Sequence, residues 1–147
     1  MNEETKEEKL REFIRVLLRN MNMLEKNESS CCQVTLSQCH AIVEIGRVEE
    51  ISLNQLATIL NLDNSTMSRT INSLVKDGLV ERETDADDRR YVRIKLTNEG
   101  IAVFKNIEES MNAYFQQILK SIAEEKHTQV MESIDLLLEA VKKNKCC

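Results

Sequence analysis

Two stretches of this chain hold side chains whose types and spacing can do chemistry. The first is Cys31-Cys32-Gln33-Val34-Thr35-Leu36-Ser37-Gln38-Cys39-His40, with three thiols and an imidazole in ten residues. Cys146-Cys147 adds two more thiols. Neighbouring cysteines do not readily bridge each other, because their Cα atoms lie ~3.8 Å apart and a disulfide needs ~4.4–6.8 Å. They can ligate a soft ion such as Zn(II), Cu(I) or trivalent arsenic, or pair with a distant thiol. Cys39 sits near the start of a helix, where the positive dipole end lowers a thiol pKa if the sulfur reaches it. Three readings stand open. Cys31, Cys32 and Cys39, with His40, form a thiolate-bound metal or metalloid site. Alternatively they form a redox switch, or Cys39 is buried filler and the others are incidental. His127 has no partner nearby in sequence and reads as a surface histidine.

The second stretch is Asn64-Ser65-Thr66-Met67-Ser68-Arg69-Thr70-Ile71-Asn72-Ser73-Leu74. Met67, Ile71 and Leu74 fall at four- and three-residue spacing, one face of a helix. Ser65, Thr66, Ser68, Arg69 and Asn72 are left on the other. A solvated helix face favours Glu and Lys, which are good helix formers. Small hydroxyls with one Asn and one Arg suit a helix entering a major groove. There Asn can read adenine, and Arg can read guanine or hold phosphate.

The elements that must position these side chains are legible around them. Leu10, Phe13, Ile14, Leu17, Met21 and Leu24 give a helical stripe from about Glu4 to Glu25. Thr35-Leu36-Ser37-Gln38 has the form of a capping box and starts a second helix that stops at Gly46. Ser52-Leu53-Asn54-Gln55 repeats that form and opens a short helix to about Leu60. Asp63 or Asn64 caps the next, from Ser65 to about Asp77, and Gly78 supplies the left-handed residue that ends it. Leu79–Glu83 and Tyr91–Leu96 read as a hairpin with a charged tip, and Val92, Ile94 and Leu96 alternate onto one face. Ile101 to Ile122 and Val130 to Val141 carry two further apolar helical stripes. The expected architecture is mainly α with a small β-hairpin wing: a winged helix-turn-helix on a helical body. A single domain of residues 1–147 has that reading head at 51–96, with dimerisation helices at 1–50 and 97–147. Long apolar stripes beside a small head call for a second copy to cover them.

Composition bounds the rest. The 147 residues include no proline and three glycines, with 41% hydrophobic and 31% charged residues. This favours long helices and excludes collagen-like, disordered and membrane-spanning classes. The charged N-terminus has no secretory pattern, so a cytoplasmic protein with reduced thiols is expected. Net charge is −5, yet residues 63–95 hold seven cations and seven anions. The head is neutral, so recognition must come from placed arginines rather than a broad basic field. There is no phosphate-cradling glycine loop, nucleophile elbow or H-E-x-x-H motif, so no enzyme is expected.

Leu56-Ala57-Thr58-Ile59-Leu60, Ser65-Thr66-Met67-Ser68-Arg69-Thr70-Ile71 and Leu74-Val75-Lys76-Asp77-Gly78-Leu79-Val80 resemble the recognition region of the MarR family of bacterial transcriptional regulators. Thr84-Asp85-Ala86-Asp87-Asp88-Arg89-Arg90 resembles its D-P-x-D-x-R wing signature, with Ala86 where the family often has proline. Leu96-Thr97-Asn98-Glu99-Gly100 resembles its entry into the long dimerisation helix. The resemblance implies a homodimeric, sequence-specific DNA-binding regulator, expected to repress from a palindromic operator. It implies that Arg90 enters the minor groove, that Asp88 orients it, and that Arg89 meets phosphate. Zinc-sensing relatives draw ligands from the loop before the second helix and from that helix's start. Peroxide-sensing relatives carry their cysteine nearer the N-terminus. The partners implied are double-stranded DNA, a second copy of the chain, and a metal, oxidant or small-molecule effector, with no membrane. Rival readings are a regulator that answers to an organic ligand without its cysteines, and a cytosolic thiol redox or metal-trapping protein.

Overall fold

Local capping decides where the helices start. In the computed structural model, which describes residues 3–28 and 34–145, the first helix α1 spans Lys6–Glu28. Thr5 and Glu8 open it with reciprocal bonds: the Thr5 N–H donates to Glu8 Oε2 at 2.9 Å, and the Glu8 N–H to Thr5 Oγ1 at 3.2 Å. Thr35 and Gln38 open α2 (Leu36–Gly46) in the same way, at 3.0 and 3.3 Å. Ser52 and Gln55 open α3 (Leu53–Ile59), both bonds at 3.1 Å. Each box satisfies two of the N–H groups that a helix start leaves without partners.

Asp63, rather than Asn64, caps α4 (Asn64–Lys76). The α3–α4 turn passes through Asn61 at φ 54°, a left-handed conformation that Asn tolerates well among non-glycine residues. Gly78 at φ 77° ends α4 as the sequence predicts. Strands β2 (Val80–Thr84) and β3 (Val92–Leu96) form the hairpin. A third strand, β1 (Ile51–Ser52), pairs with β3 and makes the sheet order β1-β3-β2, antiparallel throughout. The wing is thus three-stranded, one strand more than the expected hairpin. Two residues are too short to show an alternation.

The chain divides into two compact units after Ile107. The core of the first is built from Ala41, Ile42 and Ile45 of α2, Leu56 of α3, Met67, Ile71 and Leu74 of α4, and Ile94 of β3, each fully buried. Because α2 packs on α4 and β3, the core of the head begins before residue 51. Thr97 joins the end of α4 to the start of α5 (Asn98–Lys120). Its hydroxyl donates to the Gly78 carbonyl at 2.7 Å and accepts from the Gly100 N–H at 3.0 Å. Gly100 has no room for a side chain, because a Cβ there would collide with the Leu79 carbonyl.

In the second unit, α5 runs on to a single 3-10 turn, Glu124–Lys126, and then α6 (His127–Lys143). His127 is not the surface residue that its sequence neighbourhood suggests. It is half-buried, with Nε2 2.8 Å from the Leu119 carbonyl and 3.0 Å from that of Ile122. The ring therefore binds carbonyls on either side of the end of α5, that of Leu119 also accepting from the Ile122 N–H at 3.0 Å. Apolar stripes on α1 (Leu10, Phe13, Ile14, Leu17) and α6 (Ile134, Leu138, Val141) are exposed on the single chain. Among the described residues no helix is long and apolar enough to cross a membrane.

Candidate nucleic-acid interface

Helix α4 sorts its faces as its spacing requires. Met67, Ile71 and Leu74 are buried, while Asn64, Ser65, Arg69 and Asn72 are exposed and Thr66 and Ser68 half-exposed. The first turn is tied down by Asp63. Its carboxylate accepts from the Thr66 N–H at 2.6 Å and from the Thr66 hydroxyl at 3.0 Å. The backbone bond first, then the hydroxyl, hold the Asp63 carboxyl below its ordinary value of 3.8. Arg69 Nη2 lies 3.4 Å from Thr66 Oγ1. Of the predicted outward residues, Thr66 thus already serves the cap, whereas Ser65, Arg69 and Asn72 present themselves to an approaching ligand.

One residue in contact with this face escapes the sequence reading. Arg82 of β2 donates from Nη1 to the Asn72 side-chain oxygen. The strand's period of two gives the side on which Arg82 stands but not its partner. Val80 is buried, so Arg82 stands on the same side of β2 and turns toward α4.

The wing tip is ordered by its own carboxylates. Asp85 accepts from the Asp87 N–H at 2.9 Å, and backbone bonds from Asp85 to Tyr91 (2.9 Å) and from Tyr91 to Asp88 (3.1 Å) close the loop. Asp88 holds Arg90 by both arms, with Nε on Oδ1 at 3.0 Å and Nη2 on Oδ2 at 2.9 Å. The same Oδ1 accepts from the Arg90 N–H at 3.1 Å. The Arg90 guanidinium beside it holds the Asp88 carboxyl below its ordinary value, and Asp88 raises Arg90 in return. Even so pinned, the Arg90 side chain is 87% exposed. The fork fixes the direction of the arginine while leaving its charge available.

The base of the wing is braced through Arg93, which bonds Glu50 at 2.9 Å and Asp85 at 3.2 Å. The Asp87 N–H first, and then Arg93, keep the Asp85 carboxyl low. Arg89 is exposed at the tip.

Among the thiol residues, Cys31, Cys32, Cys146 and Cys147 lie outside the described residues. Cys39 is half-buried and the adjacent His40 is exposed. Successive helical residues diverge by about 100°, so these two do not share a face. Among the described residues no group of three or more His, Cys, Asp or Glu side chains could hold a metal ion. In the first unit, an open cavity of about 470 Å³ is lined by Ile45, Val48, Leu96, Ile101 and Phe104 together with the charged Glu49, Lys95 and Lys105.

Capped helix, turn, outward-facing helix and braced wing together define a winged helix-turn-helix. The MarR family model matches residues 34–92, from just before α2 to the first residue of β3. A curated relative, the HTH-type transcriptional regulator BilQ of Clostridium symbiosum, is 23% identical over 113 residues, 77% of this chain and 78% of its own length. The crystal structure of Streptococcus pneumoniae FabT in complex with DNA superposes with a TM-score of 0.86 at 20% identity, covering 95% of this chain and all of that one. The Staphylococcus aureus MepR–DNA complex superposes at 0.77 with 21% identity, covering 88% and 96% of the two chains. Over residues 34–92 the chain thus matches the MarR family, and over nearly its whole length it shares the fold of these DNA-bound structures.

Proposed function

We propose that the protein is a transcriptional regulator that binds double-stranded DNA sequence-specifically. It acts as a homodimer on a palindromic operator and represses from it. Helix α4 enters the major groove with Asn64, Ser65, Thr66, Ser68, Arg69 and Asn72 at the bases and phosphates. The wing reaches the flanking minor groove, where Arg90 inserts, Asp88 orients it and Arg89 meets phosphate. Helix α1 and the helices after residue 97 supply the dimerisation surface, while α2 belongs to the core of the head. The observation that carries this reading is the Arg90 fork, locked by Asp88 and almost fully exposed. A narrow minor groove concentrates negative potential and attracts such an arginine. The similar FabT and MepR structures, both solved with DNA, support DNA as the partner.

A gel shift on the duplex upstream of the protein's own gene tests this. Wild type retards that duplex and Arg90→Ala does so weakly, while neither retards a scrambled duplex at the same protein concentration. Indifference to sequence would leave only a non-specific polyanion binder.

Two effector readings follow. In one, a thiophilic ion or an oxidant acts on Cys31, Cys32 and Cys39 near the start of α2. The route onward is the half of Gln38 that its capping box leaves over. Its Nε2 donates to Ser73 Oγ at 2.9 Å and to Asp77 Oδ2 at 3.3 Å, tying the first turn of α2 to the last of α4. A Cys31/Cys32/Cys39→Ser variant then loses its response to that effector. In the other, an organic ligand fills the open cavity of about 470 Å³, a size usual for small-molecule sites. The same triple variant then keeps its full response.

A further inference from the structure

We propose that Arg82 sets the base preference of Asn72: it occupies the Asn72 carbonyl, so that this point of α4 reads guanine instead of adenine. The inference rests on the DNA-reading role proposed above and deepens it. Arg82 and Ile94 are directly paired across β2 and β3, and Ile94 is fully buried. Opposed residues of an antiparallel pair share a face, so Arg82 stands on the side of the sheet that looks at α4. Glu81 and Glu83 stand on the other side, where Glu81 pairs with Lys95 at 3.6 Å. From that position Arg82 Nη1 meets the Asn72 side chain. A guanidinium carries only donors, so the amide atom facing it is the oxygen.

The consequence is chemical. An asparagine reads adenine by two bonds at once: its NH2 donates to N7 and its oxygen accepts from the N6 amino group. An amide oxygen can accept two bonds, but with the Arg82 guanidinium on it an approaching N6 amino group meets like donors, so Asn72 reads through its hydrogens. Nδ2 and the outer edge of the Arg82 guanidinium then make a donor-only surface on the exposed side of α4. Adenine would present its N6 hydrogens to those donors, and cytosine presents an amino donor alone. Guanine presents two acceptors, N7 and O6, and is the base whose major-groove edge such a surface fits best. Arg82 is a positioning residue in this account, acting on the base through Asn72.

The test is a selection from a randomised double-stranded DNA pool with the full-length wild type, Asn72→Ala, Arg82→Ala and Arg82→Lys. Affinities for base-substituted duplexes of the selected sequence follow. The position that Asn72→Ala flattens in each half-site is the one Asn72 reads. Wild type prefers guanine over adenine there by roughly tenfold, the scale of one good base contact. Arg82→Ala frees the oxygen and turns the preference to adenine, while Arg82→Lys, which keeps a donor, retains guanine. A residue that merely supported the wing would lower affinity for every duplex alike and leave the preference as it was. Adenine at that position in the wild type, or a preference that Arg82→Ala does not move, overturns the inference. A wild type that enriches no sequence at all overturns the DNA-reading role as well, which separates the two failures.

Discussion

At the scale of single residues, Asp88 and Arg90 make the sharpest demand on the account. Simple electrostatics says that removing an acid near DNA tightens binding. If Asp88 instead aims Arg90, then Asp88→Ala weakens operator binding along with Arg90→Ala, each by roughly ten- to a hundredfold. Fluorescence anisotropy on one duplex at one salt concentration decides the sign. The pair also fixes a pH dependence. Asp88 is held low by Arg90, so the ion pair is fully present above the ordinary carboxylate value of 3.8. It is lost only as pH falls through the lowered value. Carboxyl NMR on Arg90→Ala accordingly finds the Asp88 midpoint moved up, back toward 3.8. The Asp88–Arg90 pair was legible in sequence only through the resemblance of the wing to the MarR signature, and its bidentate geometry appears only in the folded loop. The Arg82–Asn72 contact was not, because it joins residues of two elements whose mutual placement the local pattern does not fix. His127 was misread for the same reason: its carbonyl partners come from the end of the preceding helix.

At the scale of elements, the joint between α4, the wing and α5 governs how firmly the reading helix is held. Thr97 bonds both the Gly78 carbonyl and the Gly100 N–H, and Gly100 lies against the Leu79 carbonyl. Gly100→Ala must push backbone against backbone, so it lowers stability by about 3 kcal/mol, the upper part of the range for overpacking. Urea unfolding measures this, and a variant as stable as wild type would show that the joint can relax. By contrast, Ser52→Ala removes a side-chain cap at the start of α3 and costs only about 1 kcal/mol. Starts of this kind were readable in advance at Thr35 and Ser52, because a capping box is a four-residue pattern and needs nothing distant. Thr5 and Glu8 show the same pattern. Strand β1 was missed because two residues show no period and its pairing with β3 is remote in sequence. The second duty of Gln38, from α2 to Ser73 and Asp77, was likewise beyond a local reading.

At the scale of the whole molecule, reading a palindromic operator takes two heads. The exposed stripes of Leu10, Phe13, Ile14 and Leu17 and of Ile134, Leu138 and Val141 are larger than scattered surface apolars explain. Sedimentation equilibrium at micromolar concentration therefore finds a dimer, and a stable folded monomer would remove the source of two-fold operator recognition. The −5 net charge sharpens the consequence, since an acidic body offers DNA no general attraction. Affinity must then come from two correctly spaced heads with their placed arginines. The stripes were legible from periodicity alone, whereas the operator is absent from the chain altogether, because base preference arises only where side chains from several elements meet. The most direct test titrates wild type into the duplex upstream of its own gene, and into a scrambled duplex of equal length and composition, at physiological salt. The account predicts binding to the upstream duplex about a thousandfold tighter or better, the lower end for specific DNA-binding proteins. Equal affinity for the two duplexes would contradict it.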